Sequence, residues 1–372
     1  MIGRSDPWLL LPALLLAPLG VLMVYSASPG AGVEPSISGP VLRHLLIAIA
    51  SLGAMLAIAR LDYRWLQRLS APGYGTAVLL LIAVLAAGVS EFGARRWLGL
   101  GGVTLQPSEL AKPALALALA AYMSQRNPGP VAVLGALGLL AAPAALVLLQ
   151  PDTGTAVVLA GAWAGAVLAW GAPWRVLGAL MAAILALTPL LFAIAVPGYQ
   201  RERIAVFLDP ARDPLGSGFN LRQAESALRS GGLTGRGLFD GAGSALDGVG
   251  ARASDFMFAH IGEQLGLLGA VLLLSLFGLL IWRGLKASRT APDAFGRLLA
   301  AGLTMMLFTQ AFVHAAVNLR LFPATGVPLP FVSQGGSSLL AMCIAAGLLL
   351  SVASRRPPDP REEWSARRWR WR

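Results

Sequence analysis

Ten long apolar runs leave this chain few ways to fold. They cover residues 8 to 26, 42 to 60, 73 to 90, 107 to 123, 130 to 149, 154 to 171, 174 to 196, 256 to 282, 295 to 316 and 336 to 353. Each is close to the roughly 17 to 25 residues that a helix needs to cross a bilayer. In hydrocarbon, backbone N–H and C=O groups must be satisfied within the segment, so helices are the spanning structure that such runs permit. The expectation is an all-α polytopic membrane protein of about ten transmembrane helices. Composition agrees: the 372 residues are 56% hydrophobic and 13% charged, where a soluble domain carries about 25% charged residues. The first run ends at Ser26-Ala27-Ser28, a small-residue stretch that also suits a cleaved signal peptide; it is read here as a span.

Basic residues set the orientation. With both ends cytoplasmic, the inside receives Arg4, Arg60, Arg64, Arg68, Arg126, Arg175, Arg283, Lys286, Arg289, Arg297 and the arginines after Ser354. Residues 1–353 then form one transmembrane domain, and 354–372 a basic cytoplasmic tail. Residues 197–255, between the seventh and eighth spans, become a large extracytoplasmic loop, too long for a plain connection. The formal charge of +11 points to anionic lipid head groups and lipid phosphates as partners. The basic residues are scattered among apolar spans rather than gathered in one domain, which argues against nucleic acid. His44, His260 and His314 have no metal-ligand spacing, and the single cysteine, Cys343, reads as a buried structural thiol.

Three outer segments stand out. Residues 91–102 mix Arg95 and Arg96 with Trp97 and are expected to lie flat on the lipid surface. The long loop contains Ser230-Gly231-Gly232-Leu233-Thr234-Gly235-Arg236-Gly237, whose glycines allow close backbone approach or positive φ. Asn318 to Ser338 is apolar, yet Pro323, Pro328 and Pro330 exclude a continuous helix, so a re-entrant wall buried in protein is expected.

Charge inside such a chain is costly. Asp at a helix centre costs about 2.5 to 3.5 kcal/mol even on lenient scales and reads as functional by default. Asp255 stands where the long loop meets the eighth span; it is either a helix cap or a working carboxylate. Glu109 and Lys112, at i and i+3 in the fourth span, share one face. They read either as an ion pair ordering the bundle or as a site where Lys112 meets a diphosphate. Asp152, in Gln150-Pro151-Asp152-Thr153, suits capping. His260 and Glu263 share a helix face, and His260 reads as an interior hydrogen-bonded histidine. A carboxylate among several cations suits general-base attack by a sugar hydroxyl with expulsion of a phosphate. No nucleotide-binding fingerprint is present, so an activated sugar would arrive on a lipid carrier.

At these residues the chain resembles the SEDS family (shape, elongation, division and sporulation proteins), and within it the RodA elongation branch. The resemblance rests on the runs Gln106 to Lys112, Gln150 to Ala156, Tyr199 to Ile204 with Phe207 to Pro210, Gly231 to Gly237, Asp255 to Ala259, and Pro323 to Ser333, in fixed order. It implies a peptidoglycan glycosyltransferase that polymerises lipid II at the outer face of the bacterial cytoplasmic membrane during elongation, by inverting transfer with release of undecaprenyl diphosphate. It implies Asp255 as the essential acidic residue, its carboxylate taking the acceptor's proton as catalytic base, and Glu109, Lys112, Arg201, Arg203 and Ser333 as substrate-binding. A class B penicillin-binding protein, supplying the transpeptidase, and other elongation-complex membrane proteins would be the partners. The resemblance fixes no cofactor; a divalent cation, Mg or Mn, could help to carry the charge of the departing diphosphate. Two departures are Gln334, where the family often has Tyr, and Gln264, where it often has Glu. The alternatives are a flippase for the lipid-linked precursor and a non-catalytic scaffold.

Overall fold

The computed structural model describes residues 6–28, 39–91, 94–100, 103–194, 198–238, 244–246, 249 and 251–355. Its helices are α1 (Pro7–Ser26), α2 (Gly39–Arg60), α3 (Tyr63–Ala87), α4 (Pro107–Ser124), α5 (Pro130–Leu149), α6 (Thr153–Trp170) and α7 (Trp174–Ile194). They continue with α8 (Gly198–Leu208), α9 (Ser217–Gly231), α10 (Met257–Arg289), α11 (Ala294–Asn318) and α12 (Gly336–Ser354). Eight of these, α1, α2, α3, α5, α6, α10, α11 and α12, are long and apolar enough to cross a membrane. The charged opening turn of α4 and the apolar stretch Trp174–Ala186 of α7 occupy the fourth and seventh predicted spans. The predicted tail, from residue 356 on, lies outside the described residues.

The bundle is built around α11, which packs against α4, α6 and α10, while α12 packs against α2 and α4. The α6–α11 contact is made close by small residues, with Gly302 meeting Ala162 and Ala166, the usual means of packing helices that lipid does not drive together. One end of the bundle is fastened by ion pairs between helix termini. There Asp6, the N-cap of α1, pairs with Arg283, and Asp62 meets Arg355 at 3.3 Å. Asp293 accepts from Tyr63 at 2.6 Å and from Arg64 at 3.0 Å.

The all-α architecture is as expected, and the correction concerns one short outer segment. Residues expected to lie flat on lipid instead form a small antiparallel sheet, β1 (Val89–Glu91), β2 (Ala94–Leu100) and β3 (Val103–Leu105). Arg96 turns from β2 onto the α5–α6 junction, where Nε donates to the Gln150 carbonyl at 2.9 Å and Nη2 to that of Pro151. Satisfying two carbonyls there holds the arginine off the surface.

The eighth span is corrected as well. It runs on to Arg289 but is broken at Gly266, which sits at φ 67° and ψ −164°. A continuous helix would join the Leu267 and Leu268 N–H groups to the Glu263 and Gln264 carbonyls. Instead those N–H groups donate to Gly232 (2.9 Å) and Leu233 (3.1 Å), and the two carbonyls accept from Arg236 (3.0 Å) and Gly237 (3.1 Å). The glycine segment thus approaches a helix break. A Cβ at Gly235, itself at φ 84°, would overlap the Gln264 carbonyl oxygen. Gly235→Ala is therefore expected to lower stability by roughly 1 to 3 kcal/mol, the usual scale for backbone forced out of place, read as a lower Tm in detergent; an unchanged Tm would show that the junction is not needed.

Candidate active site

The site grows out of the turn that leads into α10. Asp255 N–H donates to the Ala251 carbonyl at 2.8 Å, which closes the turn and sets the carboxylate two residues ahead of the helix. The cap at that helix start is Phe256, without a side-chain capping bond. Asp255 therefore does not cap α10, and its carboxylate is left for other work.

The wall from Thr325 to Gln334 encloses that turn, irregular and largely buried as expected. Gly326, at φ 69°, faces the carboxylate so closely that an added Cβ would lie 3.4 Å from Asp255 Oδ2. Gln334 N–H donates to the Ala253 carbonyl at 2.8 Å. Ser333 Oγ donates to the Ser254 carbonyl at 2.6 Å and accepts the Leu329 N–H at 2.9 Å. Buried to 3% exposure, Ser333 has its hydroxyl occupied at both ends. It stitches wall to turn.

Charge gathers around the carboxylate. Asp255, partly exposed and outside the membrane-crossing part of α10, has its pKa raised above the ordinary carboxylate value, with burial as the dominant cause. A hydrogen bond from Ser254 and the guanidiniums of Arg96 and Arg203 pull the other way, while Asp152 adds to the rise. Asp152 is held as the N-cap of α6, accepting Thr155 N–H at 3.1 Å and Thr155 Oγ1–H at 2.8 Å, as the sequence suggests. Arg203 comes from α8, and Arg201, two residues earlier, is exposed on the same helix.

Glu109 and Lys112 form the predicted pair, Nζ to Oε1 at 2.7 Å, at 1% and 0% exposure. Lys112 also donates to Gln310 Oε1 at 2.7 Å, and Gln310 Nε2 donates to the Pro328 carbonyl at 3.0 Å and to Ser338 Oγ at 3.2 Å. In this conformation the lysine is sealed in a polar knot that joins α4, α11, the wall and α12. Glu263 is likewise taken up by the long loop, accepting from Ser244 Oγ at 2.7 Å and Ala245 N–H at 2.8 Å.

Sequence reading missed Arg96, Gln310 and Asn318 and left His314 as an isolated histidine. The signal for three of them was available. Gln310, His314 and Asn318 recur every four residues along one face of an apolar helix. Among the described residues no group of three or more His, Cys, Asp or Glu could hold a metal ion.

Residues 7–357 match the sequence profile of the cell cycle protein family FtsW, RodA and SpoVE. The chain is 37% identical over 355 residues to the peptidoglycan glycosyltransferase MrdB of Escherichia coli K12, covering 94% of each. It is 34% identical over 363 residues to the stage V sporulation protein E of Bacillus subtilis, covering 94% of this chain and 98% of that one. Among solved structures it resembles a chain from a study of how a peptidoglycan synthase complex coordinates polymerisation and crosslinking, at 34% identity and TM-score 0.81 over 95% of this chain and 99% of that. The rod shape determining protein RodA of Thermus thermophilus matches at 33% identity and TM-score 0.68, over 95% and 98%.

Proposed function

Since this chain belongs to the FtsW, RodA and SpoVE family and is a multi-pass peptidoglycan glycosyltransferase of cell shape maintenance, we propose that Asp255 is its general base. Its substrate in this reading is lipid II, a disaccharide carried on undecaprenyl diphosphate. Asp255 takes the proton from the 4-hydroxyl of the acceptor glucosamine as that oxygen attacks the anomeric carbon of the donor muramic acid. The bond to the diphosphate breaks on the opposite face, so the configuration inverts. Arg203, Arg201 and Arg96 carry the charge of the departing undecaprenyl diphosphate. Glu109, Lys112 and Ser333 hold the wall behind Asp255, a supporting part rather than contact with substrate.

One observation carries this reading: a carboxylate free of capping duty has its proton affinity raised by burial, with two guanidiniums close enough to act on it. A carboxylate whose proton affinity is raised in this way is better suited to accept a proton from a hydroxyl than an ordinary one. The fastened, arginine-rich end of the bundle is the cytoplasmic one, by the excess of basic residues in short loops. In this reading both termini lie on the cytoplasmic side of the inner membrane and Asp255 at its outer face. A class B penicillin-binding protein is the partner, in keeping with the structural likeness to a chain of a synthase complex.

The test incubates purified protein in detergent, with and without that partner, with labelled lipid II, and resolves the products by size. Glycan polymer is the expected result. Absence of polymer in both conditions, with labelled lipid II crossing reconstituted bilayers instead, would replace the polymerase reading with that of a flippase.

A further inference from the structure

The opening turn of α10 raises an accounting problem that the sequence of the helix does not solve. The first N–H groups of any helix lack partners within it, and in an apolar setting each must find one. Neither Phe256 nor the residues around it supply a capping side chain. The partners come from α11. Phe258 N–H donates to His314 Nε2 at 3.3 Å, and Ala259 N–H donates to Asn318 Oδ1 at 3.0 Å. Two side chains one turn apart on a neighbouring helix therefore cap α10 in place of its own residues.

The same side chains reach the catalytic turn from both sides. Asn318 Nδ2 donates to the Asp255 carbonyl at 3.0 Å and to the His314 carbonyl at 2.8 Å. His314 Nδ1 lies 2.8 Å from the Val327 carbonyl, next to Gly326, which faces the Asp255 carboxylate. A carbonyl only accepts and a backbone N–H only donates, so Nδ1 carries the proton and Nε2 is bare. The ring is thus neutral and one tautomer is fixed. Asn318 and His314 are both buried, and each fills its hydrogen-bonding capacity on the turn, the helix start or the wall.

We propose that Asn318, supported by His314, is a positioning residue for glycosyl transfer: it fixes the Asp255 carboxylate against the wall by capping α10 from α11. The inference rests on Asp255 being the base. A displacement of about 1 Å at a reacting group can cost on the order of 100-fold in rate, and here one amide sets both the helix start and the carbonyl of the base itself. Substrate binding, assigned to arginines on other elements, should be spared.

The test measures initial rates of lipid II polymerisation for the full-length protein with its partner, below the unfolding temperature of every variant. Asn318→Ala is expected to lower kcat at least ~10-fold with KM for lipid II within about twofold. Asn318→Asp keeps the acceptor for Ala259 N–H but replaces the donor to the Asp255 carbonyl with negative charge. It should retain part of the turnover and move the acidic limb of the rate profile to higher pH, since a nearby like charge raises a carboxylate's pKa. Leu307→Ala, a buried core change on the same helix, is the control for lost stability alone and should leave kcat and the limb unchanged. Wild-type turnover by Asn318→Ala beside an inactive Asp255→Ala overturns the positioning role alone. Turnover by Asp255→Ala overturns the base assignment on which it rests. Should Asn318→Ala fail to accumulate, Asn318→Asp decides: wild-type kcat with an unshifted limb overturns the proposal.

Discussion

Asp255→Asn is expected to abolish glycan polymer while leaving the protein folded. The amide keeps the volume of the side chain but cannot accept the acceptor's proton, and loss of a general base lowers rate by about 10² to 10⁴. The stability outcome follows from the direction of the pKa shift. Asp255 binds its proton more tightly in the folded state than when unfolded, where 3.8 is the reference. In the window from that value up to its raised folded pKa the native state holds more protons, so stability falls as pH rises, and the penalty is complete above the window. Asparagine carries no such penalty. At neutral pH the variant should unfold at the same temperature as wild type or higher, which separates a dead enzyme from a damaged fold. Wild-type activity itself should decline on the acid side from above the ordinary carboxylate range. Polymer formation by Asp255→Asn within tenfold of wild type would remove Asp255 from the chemistry.

Lys112→Met is the second large effect, and it should appear first in stability. The lysine is fully enclosed between Glu109 and Gln310. Removing one partner of a buried pair leaves the other charged and unsolvated, which typically costs about 3 to 5 kcal/mol. Both partners can be replaced together with little loss, so Glu109→Gln with Lys112→Met should recover most of the unfolding temperature lost by Lys112→Met alone. Thermal unfolding of the two variants measures this. An unchanged unfolding temperature combined with a large rise in KM for lipid II would instead place Lys112 on the substrate diphosphate.

The spans were legible because length and apolarity in a bilayer leave one solution, and the Glu109–Lys112 pair because i and i+3 share a helix face at any depth. The sheet was not. Arg95, Arg96 and Trp97 suit an interfacial segment as well as a strand, and the deciding contact, Arg96 with two carbonyls of the α5–α6 junction, is remote in sequence. The glycines of 231–237 announced a close backbone approach without saying to what. Their target, the break at Gly266, sits inside a run that remains apolar throughout. Ser333 shared a motif with the wall, but which way its hydroxyl turns depends on the Ser254 carbonyl, 79 residues away. The Gln310, His314 and Asn318 stripe was visible as spacing, yet each residue alone passes for a buried polar group of the core.

The broken helix α10 also bears on how the protein is made. Its upper half enters apolar surroundings with two carbonyls and two N–H groups that its own turns do not satisfy, and each such group left bare in hydrocarbon costs several kcal/mol. Their partners at Gly232, Leu233, Arg236 and Gly237 precede them in the chain. Synthesis from the N-terminus therefore delivers the complement before the deficit, and α10 can settle into the bundle already paired. Moving this glycine segment behind α10 by circular permutation would reverse that order, so its earliest harm should fall on membrane insertion and yield.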